Sequence, residues 1–376
     1  MKRLHHPATP CKLKNYRNLD ISILEDGYKE IVNCSDGWAI FGRDSFWASN
    51  EEFSKIKLSD NFEIFKVDSF KLNGWGFYSP ISLEIELTKN CNQKCIHCWN
   101  ESGKGSAISL GKLEEIVDEF REKGEQDLKL TGGEPLSHPS FFNFVEYSKE
   151  RGVRNIGVTT NGSLINENNV GFLSRYVNQL NISLHGATEE NHNKITRSHN
   201  YQKVRRAISL CNDYGLNPVI NFTIMGKNKS EIEAMFKLFQ NSKNKIRFNL
   251  LMQKGSGKRL NNISSEVFEI RKKISYFDSL YSVELERSGL YPPRYNKEIE
   301  SAKFYGCSAL RTGMYISSEG LVFPCNLASN PIGNIYENSI SDIWRSEDAQ
   351  KIRGMTLCDE SSCSVSCGGK CKAKEI

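Results

Sequence analysis

The chain has 376 residues, more than one hydrophobic core of roughly 100–200 residues absorbs, so we expect two or three domains. Its 50 basic and 45 acidic residues give a net charge of +5, spread along the length and too small to indicate a nucleic-acid partner. No apolar run approaches the roughly 18 residues of a membrane span, and the basic start MKRLHH precedes no secretory signal core. We therefore expect a cytoplasmic protein without membrane or nucleic-acid partners.

Cysteine is the unusual part of the composition, with twelve residues. Because disulfides are rare in a reducing compartment, these thiols indicate metal or redox chemistry. Most of them fall into two groups. The first group is Cys91, Cys95 and Cys98, and the second is Cys307, Cys325, Cys358, Cys363, Cys367 and Cys371. Cys11, Cys34 and Cys211 stand apart.

Residues 1–78 are rich in aromatic and turn residues. Short apolar runs such as EIVNC, GWAIF and FEIFKV alternate with Asp-Gly and Gly-Arg-Asp turns. This pattern predicts a small α+β or mainly β domain in which no catalytic motif is visible.

From residue 81 the pattern alternates strand and helix. Predicted strands are 81–87, 127–133, 155–162, 179–187, 217–225 and 245–252, and predicted helices are 109–123, 139–150, 164–176, 201–214 and 229–241. Six β/α units are about three quarters of a full eight-fold barrel of roughly 250 residues. The fold class expected is therefore α/β, a partial (β/α)6 TIM-type barrel at 79–255, although a doubly wound open sheet shows the same alternation.

Two further regions follow the predicted barrel. Residues 256–306 contain a helical segment, EVFEIRKKISYF, and are interpreted as a connector. Residues 307–376 lose regular periodicity while cysteine and glycine increase, which is typical of a fold organised by metal coordination. We expect a cysteine-rich, cluster-binding domain there.

The first cysteine group has the spacing C-x3-C-x2-C and follows the first predicted barrel strand, where barrel enzymes place catalytic loops. Three cysteines do not complete the four ligands of a structural zinc site, whereas a cubane held by three thiolates leaves one iron open. The alternative is a zinc site with His97 as its fourth ligand.

This spacing, with His97 just before the third cysteine, resembles the signature of the radical S-adenosylmethionine (SAM) superfamily. The next predicted strand ends in TGGEP, which resembles the family's motif for the amino group of SAM and places Gly132, Gly133 and Glu134 at the cofactor. The resemblance implies that Cys91, Cys95 and Cys98 hold a 4Fe–4S cluster with an open iron site. It also implies reductive cleavage of SAM to a 5′-deoxyadenosyl radical that abstracts hydrogen from the substrate.

Later strand ends carry further family-like positions. Thr160, Asn161, Ser183 and His185 resemble residues that contact the ribose and carboxylate of SAM, Arg197 resembles a carboxylate partner, and Ile224 with Gly226 resembles part of an adenine pocket. For each polar residue among them, capping of a turn is the alternative.

The second cysteine group resembles the SPASM extension of radical SAM enzymes, which binds auxiliary iron–sulfur clusters. Cys307, Gly320 and Cys325 form C-x12-G-x4-C, and CGGKC follows near residue 371. Ser361 stands where the family has a cysteine, Cys363 lies two residues later, and the family's last cysteine is absent. The six thiolates do not decide whether there are one or two auxiliary clusters, and a zinc ribbon is the alternative.

Family position places Cys307, Cys325 and Cys371 at the cluster nearer the active site. It places Cys358, Cys363 and Cys367 at the outer cluster.

Relatives with SPASM extensions mostly modify peptides or proteins. The N-terminal region loosely resembles PqqD-like domains, which bind leader peptides by strand addition. We therefore expect a maturase of a ribosomally made precursor peptide, with crosslink formation favoured over epimerisation and flavodoxin or ferredoxin as electron donor. The alternatives are a sulfatase-maturing enzyme or small-molecule radical SAM dehydrogenase, and a non-catalytic zinc-stabilised binding protein.

Radical epimerases need a hydrogen-atom donor, and Cys211 in AISLCNDYG is the stray thiol within the predicted barrel. Its apolar neighbours favour packing over catalysis.

Overall fold

The structure is a computed structural model. It describes the N-terminal region only as the strands at 30–34, 37–41, 45–48 and 63–66, and the rest of the chain at 80, 82–101, 103–122, 127–286, 309–310 and 313–355. Cys11, Cys307, Cys358, Cys363, Cys367 and Cys371 lie outside the described residues. Within the described part, no helix is both long and apolar enough to cross a membrane.

Six parallel strands form the centre of the larger sheet. They are β5 (Ser82–Glu86), β6 (Asp127–Thr131), β7 (Asn155–Thr160), β8 (Gln179–Ser183), β9 (Val219–Ile224) and β10 (Ile246–Leu250). The helices between them are α1 (Leu110–Glu122), α2 (Phe141–Glu150), α3 (Val170–Tyr176), α4 (Glu189–Thr196), α5 (Tyr201–Asp213) and α6 (Ile232–Phe239). The strands pair in chain order without reversal. This order confirms the partial (β/α)6 barrel, because a doubly wound sheet reverses its strand order.

Alternation along each strand separates an apolar face from a polar one. In β5, Leu83 and Ile85 are fully buried in the main hydrophobic core, whereas Glu84 and Glu86 occupy the alternate positions. Alternate residues point to opposite sides of a strand, so Leu83 and Ile85 share one face, which packs against the helices. The opposite face is therefore the polar inner wall of the barrel.

The sheet continues beyond β5 with strands from the C-terminal region. They are β11 (Gly313–Ile316), β12 (Leu321–Phe323) and β13 (Gly333–Asn334), followed by α8 (Ile340–Arg345) and α9 (Glu347–Met355). β11 pairs in parallel with β5, and Tyr315 lies beside Glu84. Trp344 is fully buried in the core that the barrel uses. Burial of apolar side chains thus helps to organise the fold of this region, although its sequence shows little periodicity.

The other edge of the barrel is covered by the predicted connector. Helix α7 (Val267–Leu280) occupies the segment that was expected to be helical. After it, Leu285 forms a parallel bridge with Ile246 at the start of β10. The connector therefore packs on the last barrel strand.

The N-terminal region contains a four-stranded sheet. Its strands are β1 (Glu30–Cys34), β2 (Gly37–Phe41), β3 (Ser45–Ala48) and β4 (Glu63–Lys66), paired in chain order. β1, β2 and β3 are antiparallel neighbours, and β4 pairs in parallel with β3. The domain boundaries at 78, 255 and 306 stay predictions.

Candidate active site

A cavity of about 530 Å³ opens where the barrel strands end. Its lining residues carry thiols, amides, hydroxyls, imidazoles and apolar groups, and none of those the structure describes is Asp, Glu, Lys or Arg. They are Cys91, Gln93, Cys95, His97, Cys98, Trp99, Asn100, Thr131, Gly132, Gly133, Thr159, Thr160, Asn161, Ser183, His185, Asn221, Thr223, Asn249, Leu250, Met252, Asn326 and Leu327. This cavity brings together most of the expected site residues that the structure describes.

The loop that carries the first three cysteines is fixed by main-chain hydrogen bonds. The Cys91 amide donates to Gly103 O over 2.9 Å, and the Ile96 amide donates to Ile195 O over 2.9 Å. At the other end of the loop, Cys98 O accepts from the Ser256 amide over 2.8 Å. The loop is therefore held by α4 and by the connector as well as by its own strand.

The three thiols of this loop are partly buried and close enough to interact electrostatically. Burial raises the pKa of Cys91 to about 11, and it raises the pKa of Cys95 further. Without a metal, the Cys91 and Cys95 thiols therefore keep their protons at neutral pH. Because iron stabilises thiolates, a cluster would compensate for the burial.

Within the described residues, no three His, Cys, Asp or Glu side chains are grouped to hold a single metal ion. A cubane binds each of its thiolates through a different iron. The arrangement of Cys91, Cys95 and Cys98 is compatible with ligands of that kind.

The TGG turn after β6 lies directly against the start of the cysteine loop. The Gly133 amide donates to Thr88 O over 2.6 Å, and the Glu134 amide donates to Asn90 O over 2.8 Å. A Cβ on Gly133 would lie 2.2 Å from Asn90 O, so glycine is required there. The turn is therefore held close to the start of the cysteine loop, and Gly132 and Gly133 line the cavity there.

Glu134 does not line the cavity, since its side chain is fully buried beneath the turn. Its carboxylate accepts from Thr160 Oγ1 over 2.6 Å, from the Asn161 amide over 2.8 Å and from the Leu136 amide over 3.1 Å. Burial raises the pKa of Glu134 to about 7 although these three donors oppose the rise. The structure thus gives the carboxylate a role in positioning the turn, and leaves main-chain groups to face the cavity.

Asn161 connects the end of β7 to the cysteine loop. Its Nδ2 donates to Asn92 Oδ1 over 2.8 Å, and its Oδ1 accepts from Ser163 Oγ over 2.6 Å. Asn92 in turn donates to Ser163 Oγ over 2.8 Å. These bonds hold the loop around Cys91 against the adjacent strand end.

Three histidines lie near the end of β8, of which His185 and His192 are buried and His97 is half-buried. The His97 and His185 rings meet edge to face, with centroids 4.2 Å apart. His185 Nδ1 accepts from the Thr223 amide over 3.2 Å, which leaves the proton of the neutral ring on Nε2. Burial lowers the pKa of all three and brings that of His97 and His192 to about 4. They are therefore neutral at physiological pH.

Asn100 joins the cysteine loop to the floor of the site. Its Oδ1 accepts from Cys98 Sγ over 3.0 Å, and its Nδ2 donates to Glu86 Oε1 over 3.0 Å and to Gly132 O over 3.3 Å. Glu86 is buried and also accepts from the Ser318 amide over 3.3 Å. Burial raises the pKa of the Glu86 carboxyl.

The C-terminal region reaches the cavity through the residues after Cys325. Asn326 and Leu327 line the wall, and Asn326 Nδ2 donates to Glu84 Oε1 over 3.0 Å. Lys254 lies 5.4 Å from the centre of the Trp99 ring and donates to Asn326 O over 3.0 Å. Cys325 is partly buried next to this contact.

Besides Glu134 and Cys325, four expected residues that the structure describes are not among the cavity lining: Arg197, Cys211, Ile224 and Gly226. Arg197 is exposed at the C-terminal end of α4, and Ile224 is fully buried in the core on the helix side of β9. The residue of β9 that faces the cavity beside it is Thr223. Cys211 is also fully buried in the core, where burial raises its pKa to about 12.

The motifs in the sequence did not identify several lining residues, among them Asn221, Thr223 and Asn249. Alternation along INFTI and RFNL places them on the inner face, so polar residues at alternate strand positions were the available signal.

Fold and site together define an enzyme that carries out its chemistry at the carboxyl ends of a partial barrel. The family model for the radical SAM superfamily matches residues 85–239, and the model for the SPASM iron–sulfur cluster-binding domain matches residues 307–372. The chain belongs to the radical SAM superfamily. Its cofactors are accordingly a 4Fe–4S cluster and SAM, with auxiliary iron–sulfur binding in the SPASM domain.

Two curated relatives and one solved structure illustrate the similarity. The AdoMet-dependent heme synthase of Methanosarcina barkeri is 28% identical over 79% of this chain and 90% of its own length. The subtilosin biosynthesis protein AlbA of Bacillus subtilis is 25% identical over 78% of this chain and 67% of its own. SuiB of Streptococcus suis bound to SAM superposes with a TM-score of 0.65 at 18% identity, covering 79% and 74% of the two chains. The last similarity is one of fold.

Proposed function

We propose that this enzyme modifies a ribosomally made precursor peptide by abstracting a hydrogen atom from it, with crosslink formation favoured over epimerisation. AlbA is a biosynthesis protein of a bacteriocin, and SuiB shares the fold and has been crystallised with its precursor peptide SuiA. These relatives support a peptide substrate for this chain.

The observation that carries the proposal concerns the described part of the cavity lining, which is uncharged and rich in amides. Peptide main chain presents neutral N–H and C=O groups, which Asn and Thr side chains can pair. The lining is therefore suited to the main chain of a peptide.

Cofactor binding is assigned to the residues around the cysteine loop. Cys91, Cys95 and Cys98 would hold the 4Fe–4S cluster, and the position of all three on one loop at the cavity supports ligation by iron. SAM would lie against the main chain of Gly132 and Gly133, with the remaining contacts from His97, Thr160, Asn161 and Ser183. When bound, cluster and SAM supply the one-electron cleavage that leads to hydrogen abstraction.

The chain's own residues hold these groups in position and keep water away. Glu134 fixes the turn that faces SAM by accepting from Thr160 and Asn161. The neutral His97 and His185 place no positive charge beside a sulfonium. Trp99 and other apolar residues cover part of the cavity and limit access of water.

The N-terminal sheet is proposed to bind the leader segment of the peptide. Among the strands that the structure describes, β1 and β4 lie at the edges of this sheet, and an extended segment can add to a strand edge through main-chain hydrogen bonds. Flavodoxin or ferredoxin is proposed as the electron donor. In the SPASM domain, Cys307, Cys325, Cys358, Cys363, Cys367 and Cys371 are proposed as auxiliary-cluster ligands.

The test is anaerobic reconstitution followed by incubation with SAM, reductant and the product of any short peptide gene adjacent to this one. We expect 5′-deoxyadenosine and a peptide that loses two hydrogen atoms and resists fragmentation between the linked residues. Incorporation of one solvent deuterium without other mass change would indicate epimerisation. Formation of an aldehyde on a single Cys or Ser would favour the sulfatase-type reaction.

The matched control is the Cys91→Ala, Cys95→Ala, Cys98→Ala protein. It should keep its auxiliary iron, lose about four iron atoms per chain and form no 5′-deoxyadenosine. Reductive SAM cleavage by this variant would contradict the assignment of the catalytic cluster.

A further inference from the structure

The inner wall formed by β9 and β10 carries a patch of uncharged hydrogen-bonding side chains. Asn221 and Thr223 face the cavity from β9, and Asn249 faces it from β10. The register places Thr223 beside Asn249 across the two parallel strands. The three side chains therefore lie together on one part of the wall, which we call the amide patch.

Asn221 is the most informative member of the amide patch. Only 8% of the residue is exposed, and its Oδ1 is buried without a hydrogen-bond partner among the residues that the structure describes. Leaving a buried polar group unpaired costs about 1–3 kcal/mol, so such groups normally have a partner. A ligand in the cavity would provide that partner.

Asn181 shows how an asparagine on the same inner face behaves when it is structural. It is 7% exposed, and its Nδ2 donates to Val158 O over 3.4 Å. Its Oδ1 accepts from Arg247 Nη1 over 3.2 Å. Since both ends of the Asn181 amide are used within the protein, burial alone does not explain the unpaired Asn221.

The spacing of the amide patch suits an extended peptide. Alternate residues of a strand lie about 6.6 Å apart, and neighbouring strands are separated by about 4.8 Å. An extended peptide repeats its outward N–H and C=O groups with the same period of about 6.6 Å. An asparagine side chain both donates and accepts, so it can pair with either main-chain group.

We propose, on the basis of the function proposed above, that Asn221, Thr223 and Asn249 form the subsite that binds the main chain of the substrate peptide. The residues assigned to SAM lie in the cysteine loop and at the ends of β6, β7 and β8. The amide patch lies on the next two strands, where Asn221 is the neighbour of Ser183 across β8 and β9. The peptide lies in extended form along β9 and β10, beside the cofactor.

The experiment uses the reconstituted holoenzyme with SAM bound. A display library of random twelve-residue peptides is selected on it, and the tightest binder is resynthesised as a labelled probe. Peptide and SAM affinities are then measured for Asn221→Ala, Asn249→Ala and Thr223→Val. The matched control is Asn168→Ala, which removes an exposed asparagine far from the cavity lining.

Each variant of the amide patch should bind the probe about three- to tenfold more weakly, as expected for one lost hydrogen bond. Any loss of SAM affinity should be smaller, and Asn168→Ala should match the wild type. Equal losses of peptide and SAM affinity would assign the patch to the cofactor and overturn the proposal. Unchanged peptide affinity in all three variants would overturn it as well.

A second arm needs no variant that could misfold. Probes with one amide N–H replaced by an ester oxygen are tested in turn on the wild type and on Asn221→Ala. We expect one ester probe to bind the wild type more weakly than the amide probe does. Asn221→Ala should bind that ester probe and the amide probe equally well. If no ester has this effect, Asn221 does not bind the main chain. If the wild type neither binds a library peptide nor modifies the product of an adjacent peptide gene, the proposed function itself fails, which distinguishes the two failures.

Discussion

Tyr315 donates a hydrogen bond from its hydroxyl to Glu86 Oε2 over 2.8 Å, although 229 positions separate the two residues in the chain. The other carboxylate oxygen, Oε1, accepts from Asn100, which contacts Cys98. A strand from the C-terminal region is therefore linked to the cysteine loop through one buried carboxyl group. The folding of the two regions is coupled at this point.

Tyr315→Phe should destabilise the protein by about 1–3 kcal/mol, because a buried carboxyl group loses a donor that nothing replaces. The free energy of unfolding is measured by urea titration of the reconstituted protein. Tyr214→Phe is the control, since the Tyr214 side chain is half exposed. Equal stability of the two variants would show that the bond to Glu86 contributes nothing.

Asn100→Ala should weaken retention of the catalytic cluster by about 10- to 100-fold, the usual effect of removing a group that orients a metal ligand. Asn100 lies beside the Cys98 sulfur and donates to the carbonyl of Gly132, so both sides of the site lose support. The rate of iron release to a chelator is compared with that of Asn168→Ala. Identical release rates would contradict a role for Asn100.

The barrel was predictable from the sequence because its signals are local. The predicted strand at 155–162 corresponds to Asn155–Thr160, and the helix at 201–214 corresponds to Tyr201–Asp213. Helix Glu189–Thr196 was missed because it is almost entirely polar, although the cap formed by Thr188 and the Asn191 amide was a signal for its start.

The pairing of Gly313–Ile316 with the first barrel strand could not be predicted, because it joins segments more than 200 residues apart. The same limit applies to Glu134. Its motif indicates the cofactor, but the direction of its side chain depends on Thr160 and Asn161, which belong to the next strand. Local sequence identifies the groups at a site more readily than it identifies their partners.

Gly133→Ala should reduce 5′-deoxyadenosine formation by about 100-fold, since the turn has to move on the order of 1 Å to relieve the contact of the new Cβ with Asn90 O. Gly111→Ala is the matched control, because a Cβ at Gly111 meets no atom within 4 Å and helix α1 favours alanine. Product is quantified by chromatography. Wild-type rates for Gly133→Ala would mean that SAM does not depend on the position of this turn.

Glu134→Gln should change how stability depends on pH. Because burial raises the Glu134 pKa from 4.5 to about 7, the folded protein keeps this proton over an interval in which the unfolded chain has lost it. The free energy of unfolding of the wild type therefore falls as pH rises from about 4.5 to 7, and the penalty is complete above 7. Glutamine does not titrate, so the variant lacks this pH-dependent contribution to the free energy of unfolding.

The stability difference between wild type and Glu134→Gln should shift in favour of the variant by up to about 3 kcal/mol between pH 5 and 8. His97 and His192, whose pKa is lowered to about 4, contribute the opposite slope below pH 6.5, but they are present in both proteins and cancel in the difference. Urea unfolding at several pH values measures this stability difference, and Glu269→Gln, at an exposed position, is the control. A difference independent of pH would mean that Glu134 ionises in the folded protein as it does in the unfolded chain, and its burial under the turn would then have no effect on its charge.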